Sequence, residues 1–506
     1  MHREEWGSRW GFILAAVGSA IGLGNIWRFP YIAFDNGGGA FFLPYLFALL
    51  TAGLPLLILE YTLGHRLRGS APLTLRRLSK KTEWIGWWQV GIGFIISSYY
   101  AVVLAWAAAY TYYSVGTQWG DNPEQFFLGS FLQAPDTPGD VNTIVPAVLI
   151  PLILIWVVTL VIGVRGVKRG IETATKVMIP LLVVTFGALV LRAVTLPGAT
   201  AGLDSLFRPD FGALTDGAVW TAAYGQIFFS LSIAFAIMIT YSSYLPRSSD
   251  LTNNALIAGF ANSSFELLAG IGVFAAIGFM ASSQGVAVDE VAQQGVLLAF
   301  VAFPQIINTF PALNSLFGVL FFGSLVLAGL SSLISIVEVY VSALRDKFGL
   351  ERTTAVLVGG GACALVSVLY ATDGGLFLLD TADSFINNFG IVLAGLAEVV
   401  AVAWFLRRLG VLQRHANRVS DVTIGWGWRI SLAVITPLVL GYMTFDNFRT
   451  TITQGYEDYP TGLLLIAGWG AALVALIFGI VVSLRRWDPE VLDFDTHTLD
   501  REEVHT

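Results

Sequence analysis

Apolar residues fall into twelve runs along this chain, at roughly 10–34, 41–64, 86–115, 143–163, 173–194, 218–244, 254–281, 312–344, 354–371, 377–406, 429–446 and 461–484. Each is long enough for an α-helix to cross a hydrocarbon core of ~30 Å. The pattern predicts an all-α polytopic membrane protein with twelve transmembrane helices. The first, third, eighth and tenth runs are longer than one crossing needs, which predicts tilt or kinks.

The polar gaps between the runs alternate in charge. The 65–83 gap holds Arg66, Arg68, Arg76, Arg77, Lys80 and Lys81, and the 164–172 gap holds Arg165, Lys168 and Arg169. Later even-numbered gaps add Arg247, then Arg345, Lys347 and Arg352, then Arg407, Arg408, Arg414 and Arg418. The 117–142 gap has four acids and no Lys or Arg. Basic residues stay on the cytoplasmic side, so both termini are expected there. The 117–142 loop is short and lacks an Asn-x-Ser/Thr acceptor; the match at Asn262 lies inside a run. This points to a prokaryotic cell (inner) membrane. The segment 285–311, punctuated by Pro304 and Pro311, reads as a pair of short helices lying as a lid over the outer mouth.

Composition agrees. Of 506 residues 55% are hydrophobic and 12% charged, against about 25% charged in a soluble domain. The net charge of −7 is concentrated in an acidic tail that includes Asp488, Glu490, Asp493, Asp495, Asp500, Glu502 and Glu503. No basic stripe suggests nucleic acid. One cysteine, Cys363, excludes an intramolecular disulfide. There is no His/Cys/Glu cluster with transition-metal spacing and no nucleophile-elbow or phosphate-loop pattern, so no enzyme is expected.

Two runs are unlike plain membrane helices. The first carries Gly18, Gly22 and Gly24, then Asn25, Arg28 and Pro30. Glycines also serve close packing between membrane helices, but a charge in the same span needs a partner or water. The sixth carries Gln226, Ser230 and Ser232 in an aromatic setting. These two runs begin the halves of a ten-span core. Paired broken helices of this kind place a binding site at the midplane, with half-helix N-termini facing an anion and unwound carbonyls facing a cation. Asn25, Ser230, Asn262, Ser331 and Ser332 supply oxygens suited to a hard cation.

The stretch from Trp6-Gly-Ser-Arg9 through Gly22-Leu-Gly-Asn-Ile-Trp-Arg-Phe-Pro30, with Asn36-Gly-Gly-Gly-Ala-Phe41, resembles the neurotransmitter:sodium symporter family, in particular its bacterial leucine-transporter-like amino-acid transporters. Gly225-Gln-Ile-Phe-Phe229, Ala328-Gly-Leu-Ser-Ser332 and Arg165-Gly-Val-Lys-Arg-Gly-Ile-Glu172 extend the likeness over essentially the whole chain. The resemblance implies a 5+5 inverted-repeat core with broken helices 1 and 6, plus two C-terminal helices. On that scheme 1–9 is a cytoplasmic N-terminal segment, 10–194 the first repeat and 195–217 an extracellular loop. The second repeat, 218–406, contains the 285–311 lid; 407–484 holds the last two spans and 485–506 the cytoplasmic tail.

It also implies two Na+ ions. The first would be held by Ala20, Asn25, Ser230 and Asn262 with the substrate carboxylate, the second by Gly18, Ile21, Ala328, Ser331 and Ser332. The carboxylate of an amino-acid substrate would meet the Leu23 and Gly24 amides, the Tyr100 hydroxyl and the first Na+, with Ala20 and Ser230 also at the substrate. Its side chain would lie among Ile96, Phe229, Ser232, Phe235, Ser332 and Ile336. Gly22 stands where monoamine members carry Asp, so the substrate must bring its own carboxylate. Glu266 stands where chloride-dependent members carry a small hydroxyl residue. It implies uptake without chloride, with Tyr45, Gln226 and Ser230 near it. Ile96, Ile233 and Ala234 are expected to narrow the pocket towards small or medium aliphatic substrates. Arg28 and Asp383 correspond to the outer gate pair; Arg3 and Asp346 correspond to the inner one, beside Trp6 and Tyr244. Glu60 and Glu398 are expected to accept hydrogen bonds from amides freed where spans 1 and 6 unwind. Glu338 and Trp106 receive no role. The resemblance implies sodium-coupled symport by alternating access; a transport-dead sensor and a proton-coupled relative are the alternatives. Lipid bilayer is the expected surrounding, and a homodimer is left open.

Overall fold

The computed structural model describes residues 3–292, 295–310 and 312–492. Pro311 of the expected lid and the tail acids from Asp493 onward lie outside the described residues.

Among the described residues ten continuous helices are long and apolar enough to cross a bilayer. They are Gly39–Leu67 (span 2), Lys80–Tyr113 (span 3), Pro146–Val164 (span 4), Val167–Val194 (span 5), Leu251–Gln284 (span 7), Asn314–Phe348 (span 8), Arg352–Ala371 (span 9), Gly375–Phe405 (span 10), Trp426–Gln454 (span 11) and Thr461–Leu484 (span 12). Arg9–Ala20 and Leu23–Asp35 form span 1 as a bent pair. Gly217–Ser230 and Ile237–Ser242 form the two halves of span 6. The fold is thus an all-α polytopic bundle, and the two interrupted helices are those that the glycine and serine patterns single out.

Boundaries shift where polar residues continue a helix. Span 5 begins at Val167 rather than near 173, because Lys168 and Arg169 sit in a wide π-helical turn, Val167–Ile171, that runs into the span. The 195–217 loop contains a helix, Ala199–Phe207, pressed against span 7. Gly202 and Gly278 make that approach: a Cβ on Gly278 would lie 2.8 Å from the Gly202 Cα. The 285–311 segment expected to form a lid is helical over Val288–Val291 and Gly295–Asn308 among the described residues.

Packing sorts the spans by environment. Spans 3 and 8, the third member of each five-span half, lie along one another at the centre, and span 12 packs on span 3. The outward faces of spans 4, 5, 9, 11 and 12 expose Ile150, Val184, Leu365, Leu438 and Ile466. A surface so apolar suits hydrocarbon and not water. The first and last described segments meet on one face. Arg3 pairs with Asp346 at the end of span 8, and the adjacent Lys347 donates to the Arg485 carbonyl after span 12.

Candidate functional site

The site is built on the two interruptions. The halves of span 1 meet at 55°, with Ile21 (φ −73°, ψ 100°) and Gly22 (φ −125°, ψ −167°) extended between them. A helix end frees its last carbonyls and a helix start frees its first N–H groups. Here that releases the carbonyls of Gly18, Ser19 and Ala20 and the amides of Leu23 and Gly24. Asn25 closes part of the gap, its Oδ1 accepting from the Gly22 amide at 2.9 Å.

In span 6 the helix stops at Ser230, and Ser232, Ala234 and Ala236 take φ of 53°, 64° and 62°. None is glycine, and left-handed backbone costs such a residue ~1–2 kcal/mol. Two hydrogen bonds hold the shape. Glu60 Oε1 accepts from the Ala234 amide at 2.7 Å, and Ser232 Oγ donates to the Ser19 carbonyl at 3.0 Å. The second bond ties one break to the other.

Two clusters of uncharged oxygens flank the span 1 break. In the first, Asn25 Nδ2 donates to Asn262 Oδ1 at 2.8 Å, and Asn262 Nδ2 donates to Ser230 Oγ at 3.1 Å. All three residues are buried, as is Ala20. In the second, Ser331 Oγ lies 2.7 Å from both the Gly18 and Ala328 carbonyls. Ser332 Oγ lies 3.3 Å from those two carbonyls, 3.2 Å from that of Ser19 and 3.4 Å from that of Ile21. Six oxygens from spans 1 and 8, two hydroxyls and four carbonyls, are thus gathered in one cluster.

A cavity lies beside the break. Ala20, Leu23, Gly24, Ile96, Tyr100, Phe229, Ser230, Ser232, Phe235, Ser332 and Ile336 all line it. Tyr99 and Asn387 line it too, and the sequence reading missed both. The Leu23 amide points to the Tyr100 hydroxyl at 3.4 Å. Gly24 lets the Phe229 ring close over the chain, since a Cβ there would overlap the ring.

Comparison with known proteins places this architecture. A model of the sodium:neurotransmitter symporter family matches residues 3–126 and 117–488. The chain belongs to the sodium:neurotransmitter symporter family. It is 41% identical over 486 residues to an uncharacterised sodium-dependent transporter of Methanocaldococcus jannaschii, covering 96% of this chain and 98% of that one. A sodium-dependent dopamine transporter of Caenorhabditis elegans is 28% identical over 94% of this chain and 86% of its own. The solved structure of MhsT in complex with L-phenylalanine matches with a TM-score of 0.74 at 33% identity, over 88% of this chain and all of that one (100%). The protein is therefore a sodium-dependent transporter of this family.

Around the symporter's central site the charged residues fall into separate groups. Glu266 is fully buried and accepts hydrogen bonds from Tyr45 and, at 2.6 Å, from Gln226 Nε2. Arg28 stacks 4.7 Å over the Phe229 ring, while Asp383, on the cavity wall, accepts from Tyr99 at 2.8 Å. Among the described residues these two charges form no ion pair within 4.0 Å. On the face carrying the termini the pairs are closed. Arg3 meets Asp346 at 3.1 Å and Ser243 at 2.7 Å, with its guanidinium 5.0 Å from the centre of the Tyr244 ring. Trp6 donates to the Tyr241 carbonyl at 2.9 Å.

Four expectations need correction or completion. Glu398 accepts from Gln89 at 2.6 Å, not from a freed backbone amide; only Glu60 reaches one. Ile233 and Ala234 do not line the cavity. The left-handed turn aims the Ala234 Cβ at span 10, 3.2 Å from where a Cβ on Gly395 would sit. Glu338 joins Arg352 at 2.6 Å and receives the Tyr244 hydroxyl at 2.7 Å. The chain of charges continues through Glu4, which meets Arg352 at 3.0 Å and Arg345 at 2.6 Å. Burial raises the Glu4 carboxyl, but Arg352, the Val167 amide and Arg345 outweigh it and hold it below the usual range. Trp106 makes T-shaped contacts with Phe300 of the 285–311 segment and Phe127 of the 117–142 loop. Neither partner is near Trp106 in sequence, so no local pattern announces the contact.

Proposed function

We propose that this chain is a sodium-coupled, chloride-independent symporter of a small or medium neutral amino acid, working by alternating access. The observation that carries the reading is the pair of oxygen clusters flanking the broken span 1 with the cavity alongside. Every donor in them is uncharged. Such a site suits a monovalent hard cation, because tight divalent sites draw on carboxylates. One Na+ is held by the Ala20 carbonyl, Asn25, Asn262 and Ser230, and a substrate carboxylate completes its shell. The second is held by the Gly18, Ile21 and Ala328 carbonyls with Ser331 and Ser332.

The substrate carboxylate meets the Leu23 and Gly24 amides at the start of a helix, where anions are favoured, and the Tyr100 hydroxyl. Gly22 supplies no countercharge for an amine, and a Cβ there would stand 3.2 Å from Tyr100 Oη and 3.3 Å from Ser332 Oγ. Ile96, Phe229, Phe235 and Ile336 receive the side chain. Glu266, one helical turn from Asn262, supplies the negative charge that chloride supplies in other members. With the terminal face cytoplasmic, the closed Arg3–Asp346 pair and the unpaired Arg28 and Asp383 fit a conformer sealed inside and unsealed outside. Uptake is into a prokaryotic cell across its membrane.

A thermal-shift screen of the twenty amino acids, each with sodium and with potassium, tests the reading. Stabilisation by a neutral amino acid in sodium alone, undiminished when gluconate replaces chloride, is the expected result. Equal shifts in sodium and potassium, or loss of the shift in gluconate, would refute it.

A further inference from the structure

Neither oxygen cluster uses Glu60 of span 2 or Glu398 of span 10. They are 0% and 1% exposed, and Ala234, whose amide Glu60 holds, sets its Cβ 3.2 Å from where a Cβ on Gly395 would sit, one helical turn before Glu398. Among the described residues no Arg, Lys or His acts on either; Tyr61, beside Glu60, is the other titratable group facing the pair. Each carboxyl has one oxygen committed as an acceptor: Glu60 Oε1 from the Ala234 amide at 2.7 Å, Glu398 Oε2 from Gln89 Nε2 at 2.6 Å. The other oxygens, Glu60 Oε2 and Glu398 Oε1, are buried without a hydrogen-bond partner, as is Gln89 Oε1.

Three orphan acceptors outnumber the unpartnered donors beside them, of which the Tyr61 hydroxyl is one. Two neighbouring buried carboxylates without a cation are each strongly disfavoured, and one proton removes both the repulsion and the missing donor. We propose that Glu60 and Glu398 form a proton-binding site that holds one proton between them, and that this proton keeps the span 6 break folded. The elements give it that leverage. Span 2 packs along the second half of span 6, and the Glu398 stretch of span 10, Val392–Val400, packs on span 3. The site therefore ties the turn at Ala234 to the span that carries Ile96 and Tyr100 on the cavity wall. Losing the proton to water leaves two carboxylates that repel across this junction and pull Glu60 from the Ala234 amide.

The spectroscopic arm of the test uses the full chain in lipid without substrate, so it stands apart from the symport reading; the uptake arm rests on that reading. Infrared difference spectroscopy should show a protonated-carboxyl stretch at neutral pH that is lost in both Glu60→Gln and Glu398→Gln but kept in Glu266→Gln. Glutamine carries the missing donor permanently, so each single variant should still take up substrate. Wild-type uptake should fall about tenfold per pH unit beyond an alkaline midpoint, and both single variants should lose that limb. The double variant sets two NH2 groups against each other and should melt below either single one. A band that survives both single variants, a band halved by each (two protons), or an alkaline limb that persists in both overturns the proposal. Should a Gln variant not fold, the pH titration of the wild-type band decides alone: its absence at neutral pH refutes a bound proton.

Discussion

Single atoms decide what the break in span 1 can do. Gly22 is extended at ψ −167°, and its amide is capped by Asn25 Oδ1. Gly24 matters for a different reason: it leaves the space that Phe229 fills. Phe229 in turn carries Arg28 on its outer face. A methyl group at position 24 must push the ring, and with it the guanidinium, away from the cavity. Overpacking of this kind costs about 1–3 kcal/mol. Gly24→Ala is therefore expected to weaken substrate binding about 5- to 150-fold, with little loss in the melting temperature of the sodium-bound protein. Calorimetry on the reconstituted variant measures both, and unchanged substrate affinity would show that Phe229 has room to spare.

Between elements, the contact of span 6 with span 10 offers a reciprocal test. Ala234 sits at φ 64°, and its Cβ would be 3.2 Å from one added at Gly395. Ala234→Gly relieves left-handed strain and should stabilise by about 1 kcal/mol. Gly395→Ala should destabilise by crowding, and the double variant should recover most of the loss. Coupled neighbours differ from additivity by about 0.5–3 kcal/mol, so a strictly additive melting series would deny the contact. A second junction joins span 2 to the helix Leu409–Val419. There His65 Nδ1 and His415 Nε2 lie 3.0 Å apart, and His65 Nε2 lies 3.0 Å from the Pro246 carbonyl. Burial, then His65, Arg66, Arg418 and Arg68, push the His415 imidazole down to about 3. The unfolded chain binds this proton near pH 6.5 and the folded chain only near 3, so stability is full above 6.5 and falls as pH drops through that window. His415→Asn should flatten the acid side of the melting curve; an unchanged slope would place the pH dependence elsewhere. These junctions also mark the limit of what the chain reveals by itself. The breaks are legible because glycine, asparagine and serine in an apolar run have few other uses. The direction of Ala234 is not legible, because a helical reading aims its Cβ at the cavity and the positive φ turns it away. Glu338, Trp106 and Glu398 are misread or unread because their partners, Arg352, Phe300 and Gln89, come from other elements, and membrane periodicity says nothing about which faces meet.

For the whole molecule the question is how much work the two proposed ions would do. The clusters differ in how they depend on cargo. The first has amide, hydroxyl and carbonyl oxygens only, so an ion held there as proposed would gain most when a substrate carboxylate arrives. The second is complete without substrate, and it fastens the first half of span 1 to span 8 through Ser331 and Ser332. If both ions cross with a zwitterion, two net charges move per cycle. A membrane potential of 100 mV contributes ~2.3 kcal/mol per charge, about 4.6 kcal/mol in all, or roughly three decades of accumulation. One ion would support less than two decades. Proteoliposomes with the potential set by a potassium gradient and an ionophore distinguish these cases: flux reverses at the potential that balances the imposed sodium and substrate gradients. The reversal potential should give about two charges per substrate in the wild type. Replacing Ser331 and Ser332 together by Ala removes two of the five oxygens at the substrate-independent site and should lower that ratio towards one in whatever transport remains. A wild-type ratio of one would leave the second cluster as a structural clasp between spans 1 and 8, holding no transported ion.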